Sequence, residues 1–152
     1  MPYEPHSYSY EKHAANAAHR ERLYWLTLVS GATNLIVLVL YVIGAMDGLL
    51  APLIGAMCGS LIAAAIWNRQ DDYYNALVTA GFRWMSAALG TVLLLLWMHG
   101  ATSLIDRPLP GFERFAGDIY LLALTLALMF HAGYSFAYLF DKLRPGENDL
   151  AV

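Results

Sequence analysis

A single cysteine in 152 residues, Cys58, excludes an intrachain disulfide framework and a metal site built on paired cysteines. Charge is scarce as well. At 14% charged and 59% hydrophobic residues the chain has too little polar surface for an ordinary soluble fold of this length. The nine Lys and Arg form no patch and the net charge is −3, so nucleic acid is excluded as a partner. There is no GxSxG, HExxH, Walker A or GxGxxG pattern, which leaves acyl transfer, zinc hydrolysis and nucleotide binding without a nucleophile, a ligand set or a phosphate loop. No pattern in the sequence asks for a cofactor. The N-terminal stretch also lacks a short apolar segment followed by a small-residue cleavage site, so no removable signal peptide is expected and the first apolar run acts as the insertion signal.

What the chain does contain is apolar sequence in four long runs, Leu23–Met46, Leu49–Asn68, Trp84–Ile105 and Ile119–Phe140. About 20 residues at 1.5 Å each cross a hydrocarbon core of ~30 Å. The pattern therefore predicts an all-α integral membrane protein with four transmembrane helices in two antiparallel hairpins, the whole domain covering 23–141. Residues 1–22 are expected to form a flexible tail. Met1–His13 carries Pro2, Pro5 and three tyrosines and has too few aliphatic residues to offset the entropy of ordering, while the alanines of Glu11–Arg22 suit a helical lead-in at the membrane surface. Asp106–Asp118, with Pro108, Pro110 and Gly111, reads as a loop whose balanced charges form a solvated rim, and 142–152 as a short polar tail.

Lys12, Arg20, Arg22, Arg69, Arg83, Lys142 and Arg144 fall on one side of this layout and Arg107 and Arg114 on the other. The excess of basic residues places both termini in the cytoplasm, as in a multi-pass protein of a bacterial inner membrane. Trp25, Trp67 and Trp84 then mark the inner interface, and Trp97, Tyr41 and Tyr120 the outer one. Arg22 and Trp25 before the first run and Arg83-Trp84 before the third hint at a parallel two-helix repeat. The general plan resembles that of many small bacterial membrane proteins and implies no particular role.

Two features stand out within the apolar runs. In the second, Ala51, Gly55, Gly59 and Ala63 recur every fourth residue and contain a GxxxG motif; such small side chains let helix backbones approach closely in lipid. This face packs either against other helices of the same chain or against a second copy or a larger membrane complex. In the fourth, His131 stands ten residues from the inner end of the run, about 15 Å deep, and Asn34 in the first run reaches nearly the same depth. Ser30 and Asn34 share a helix face, as do Ala127, His131 and Ser135, so both polar stripes are expected to turn inward. The plainest role for an uncharged His131 is an interhelical hydrogen bond, and a proton relay is the functional alternative. A b-type haem fits poorly, because His99 lies roughly 18 Å from His131 by helix rise and the two cannot ligate one iron within a monomer.

Between the hairpins, Arg69, Asp71, Asp72, Tyr73, Tyr74, Arg83 and Trp84 form a polar cytoplasmic segment. Asp71-Asp72 lacks the longer array of spaced aspartates used by membrane phospholipid transferases, and Asp71 suits a helix N-cap instead. From Tyr74 through Leu77, Val78, Gly81 and Met85 the apolar residues follow i, i+3, i+4 steps, which predicts an amphipathic interfacial helix leading into the third span. These features together predict a small non-catalytic membrane protein, an accessory or self-associating subunit. The alternative is a small transporter, channel or proton-handling module built on His131 and Asn34, and a haem protein or interfacial enzyme ranks below both.

Overall fold

The computed structural model describes residues 5–45, 51–66, 72–102 and 111–143. Among these the elements are all α-helical: α1 Pro5–Val42, α2 Ala51–Ile66, α3 Asp72–Thr102, α4 Phe112–Gly117 and α5 Ile119–Leu143. Three segments are long and apolar enough to cross a membrane, Glu21–Val42, Asp72–Ala101 and Ile119–Leu143; α2 is apolar but shorter, at 16 residues.

Two boundaries differ from the sequence expectation, and the helix expected to lead into the third span is continuous with it. α1 begins at Pro5, so helix reaches into the stretch Met1–His13 expected to be flexible, and the helical lead-in expected over Glu11–Arg22 is continuous with the first span. Pro5 takes the first helical position, where a missing N–H costs nothing, and Ala14, Ala15, Ala17 and Ala18 extend a helix that the apolar part has already nucleated. α3 likewise runs unbroken for 31 residues, about 46 Å, with no junction at Trp84. Its Tyr74, Leu77, Val78 and Gly81 face is buried in the protein interior. Period 3.6 specifies that a helix has one apolar side and leaves open what covers that side. Finally, the stretch read as a loop holds the short helix α4, whose Phe112 is buried and stacks edge-on with His99 at 5.7 Å.

The ends of the helices follow from local chemistry. α1 stops where Gly44 adopts φ 75°, with Gly44 N–H donating to the Tyr41 carbonyl at 3.1 Å and Ala45 N–H to that of Leu40 at 2.9 Å, a Schellman closure. Pro52 sits in the first turn of α2, where it is tolerated. Asp118 starts α5: its Oδ1 accepts from the N–H groups of Tyr120 at 3.1 Å and Leu121 at 3.0 Å.

α5 is the central element. It packs against α3 on one flank and α1 on the other, α2 lies on α1, and α4 rests on α5. Two glycines mark close approaches between α5 and α3. A Cβ built on Gly81 would stand 2.8 Å from the Phe130 ring and from the Phe130 carbonyl oxygen, and one on Gly133 would stand 2.7 Å from Trp84. The interior has two parts. One is aromatic, with Tyr74, Phe130 and Tyr134 buried beside Leu77, Val78 and Ala64; the other is aliphatic, built from Val37, Met57, Leu124 and Ala127. Outward faces are equally apolar, as shown by Ile119 at 83% exposure, Trp97 at 65% and Leu93 at 58%. An apolar exterior of this extent is consistent with lipid as the surrounding solvent.

Candidate functional site

Thr27, Ser30 and Asn34 are spaced i, i+3, i+7 on α1, and all three are buried where α1 meets its neighbours. His131 and Tyr134 of α5 and Ser60 of α2 are buried too, which makes a polar layer inside an apolar bundle. His131 is twelve residues from each end of α5, about 18 Å by helix rise. α1 passes it at Gly31, where a Cβ would lie 3.1 Å from the His131 Cβ and 3.8 Å from Nδ1. The glycine therefore makes room for the imidazole, and Asn34 stands one turn along the same face.

The hydroxyls in this layer are satisfied within or between helices. Thr27 donates to the Leu23 carbonyl at 3.0 Å and Ser60 to that of Met57 at 2.8 Å. Ser30 Oγ lies 2.8 Å from the Leu26 carbonyl and 3.3 Å from that of Ala56, so it joins α1 to α2. The larger groups are different. Both amide atoms of Asn34, both ring nitrogens of His131 and the Tyr134 hydroxyl have no hydrogen-bond partner among the described residues. The Tyr134 hydroxyl comes near that of Thr27 without the geometry of a hydrogen bond. The interhelical bond expected of His131 is therefore not formed. His131 and Asn34 do not pair: His131 packs against α1 at Gly31, and Asn34 is a turn away along that helix. Each such buried group costs roughly 1–3 kcal/mol in the absence of a partner. What the layer offers chemically is an imidazole, an amide and a phenol, able to donate and accept protons or hydrogen bonds in a dry setting.

The other sequence candidates lie elsewhere. Gly55 and Gly59 point outward, with nothing within 4 Å of a Cβ at either position; Ala51 is exposed and Ala63 half-buried. α2 instead turns Met57, Ser60 and Ala64 inward, which corrects the reading of the GxxxG face as an intrachain contact. Tyr74, expected near the lipid headgroups, is a core residue at 3% exposure and meets Tyr134 edge-on at 6.1 Å. Tyr73 is half-buried against Tyr24, with ring centroids 5.7 Å apart. Asp72 is exposed in the first turn of α3, and Arg83 and Trp84 are exposed farther along it. Arg69 and Asp71 lie outside the described residues. His99 packs on Phe112 and His131 on Gly31, and among the described residues no three His, Cys, Asp or Glu side chains gather as a metal site would require.

One contact had no counterpart in the sequence reading. Tyr41 Oη donates to Asp118 Oδ2 at 2.6 Å, tying the end of α1 to the start of α5 beside a cavity of about 120 Å³ that Arg114 also lines. The Tyr41 hydroxyl and the Leu121 N–H hold the Asp118 carboxyl below its ordinary range. An Asp immediately before an apolar run was the available signal, since it marks an N-cap.

No protein-family model, curated protein or solved structure matches this chain. Helix lengths, composition and the apolar exterior are those of a helical multi-pass membrane protein.

Proposed function

We propose that the protein is a small non-catalytic membrane subunit that associates with a second copy of itself through the outer face of α2. In this reading α2 is a fourth span, antiparallel to α1, and both termini face the cytoplasm of a bacterial cell. Two contacts support the antiparallel course: Met57 shares a cluster with Val37, and Ala64 shares one with Tyr74 and Tyr134. The observation that carries the proposal is the open pair Gly55 and Gly59 on a helix whose main packing is on α1 alone. Without a hydrophobic drive between helices in lipid, an open small-residue face gains most from close backbone contact with another helix.

Cys58 supplies the test, because it is exposed and adjoins Gly59. Oxidative cross-linking in bilayers is expected to yield a Cys58-dependent dimer, and Gly59→Leu to abolish it. A monomer in both cases overturns the reading.

A second reading rests on the five unpartnered atoms of Asn34, His131 and Tyr134, which together suit a proton-handling layer. Proton flux into vesicles that His131→Leu removes, with the fold intact, would support it. Flux that survives the substitution would exclude it.

A further inference from the structure

The outer surface of the α3–α5 pair carries a groove of about 500 Å³. Ala87 and Ala88 form part of its floor, together with Thr91 and Thr125. The one hydrogen each threonine can donate is already used: Thr91 Oγ1 donates to the Ala87 carbonyl at 3.0 Å and Thr125 Oγ1 to that of Leu121 at 2.8 Å, so neither has a donor left for a ligand. The floor is therefore mostly apolar and has no free hydroxyl donor. The one charged residue of the lining is Arg83, exposed at one end beside Trp84 and without an ion-pair partner among the described residues. Helical side chains lean toward the helix N-terminus, which carries the guanidinium toward the membrane face where α3 begins.

We infer that this groove binds an anionic glycerophospholipid, its phosphate on Arg83 and one acyl chain along Ala87, Ala88 and Thr91. Dimensions and charge both argue for this occupant. Arg83 to Thr91 spans about 12 Å of helix rise, close to the ~15 Å depth of one leaflet. A helix about 10 Å across would need roughly twice the groove's volume over that length. Among the described residues no carboxylate lines the groove to receive the ammonium of a zwitterionic headgroup, so a net negative lipid is favoured. The site lies away from the outer face of α2 and does not depend on association there.

The full chain is reconstituted in phosphatidylcholine vesicles doped with phosphatidylglycerol, with either lipid brominated in its acyl chain, and tryptophan quenching is read. A Trp84→Phe variant supplies the background from the other tryptophans. The brominated anionic lipid is expected to quench Trp84 at about a fivefold lower mole fraction than brominated phosphatidylcholine. Arg83→Gln should erase that difference, Arg83→Lys should keep most of it, and Ala88→Phe should erase it with the charge intact by filling the groove. Equal quenching by both lipids in the native chain, or a preference that survives Arg83→Gln, overturns the inference. So does a Trp84 shielded from both lipids, which would place protein on this face.

Discussion

Along the α3–α5 seam two glycines bring the backbones so close that one added carbon at Gly133 would meet Trp84 at 2.7 Å and the Ala80 carbonyl at 3.0 Å. Along α1–α2 the contact is looser: Ser30 reaches the Ala56 carbonyl at 3.3 Å, Val37 meets Met57, and the two glycines of the GxxxG motif face away. The recognisable motif and the glycines that hold the bundle together are thus on different helices. The difference teaches that a four-residue spacing marks a helix face able to approach another closely, without naming the partner. Lone glycines do not name it either: Gly81 and Gly133 mark close approaches, whereas Gly90 and Gly100 in α3 have nothing within 4 Å of an added Cβ.

Substitution at the two kinds of glycine should separate these seams. Gly133→Val is expected to destabilise the most, by about 3 kcal/mol in equilibrium unfolding from mixed micelles, because the Ala80 carbonyl cannot move aside as a side chain would. An effect under about 1 kcal/mol would mean that the α3–α5 approach is adjustable. Next is His131→Leu, expected to stabilise by about 1 kcal/mol, since it replaces an imidazole with two unpartnered nitrogens by an apolar group of similar size. A comparable loss would show that His131 has a partner in the membrane, and the α1–α5 contact would then rank with the glycine seam.

Tyr41→Phe should lower the melting temperature by less than either change. Because Asp118 is held below its ordinary range, its contribution is complete above about pH 4 and is lost only as the pH falls through the lowered folded value. Melting curves of the native chain and Tyr41→Phe should therefore differ at pH 6 and converge in strong acid; a difference that fades near pH 6 would point to another titrating group. The smallest effect is expected from Gly55→Leu or Gly59→Leu, which should leave monomer stability within about 0.5 kcal/mol while acting on association. A clear loss in a monomeric background would place that face inside the bundle.

Much of the plan was legible because the bilayer imposes it. Long uncharged runs announced the helices at Glu21–Val42 and Ile119–Leu143, and the spacing of Ser30 with Asn34 indicated the buried face of α1. What escaped depended on what lies opposite a face. The Tyr74–Leu77–Val78–Gly81 stripe has the same periodicity whether lipid headgroups or α5 cover it, and the GxxxG stripe reads the same whether it points in or out. Gly31 and Gly133 carried too little local pattern to be singled out, and Gly81 entered only as a member of the Tyr74 stripe, since each is meaningful as a close approach only beside His131, Phe130 or Trp84. Asp118 was legible by the capping rule that was applied to Asp71, but its bond to Tyr41 joins residues 77 apart, beyond any local pattern.

Because α5 is both the central helix and the last one in the described chain, the order of synthesis bears on how the interior is completed. Asn34 precedes His131 by 97 residues, roughly 5–20 s at common rates of translation. Over that interval α1 waits for α5 with a polar stripe already made. The hydroxyls of Thr27 and Ser30 are paired with carbonyls of α1 itself and can wait without cost, but the Asn34 amide has no such partner. Asn34 gains no partner among the described residues when α5 arrives, so it is the residue whose burial the closing helix must offset by packing alone.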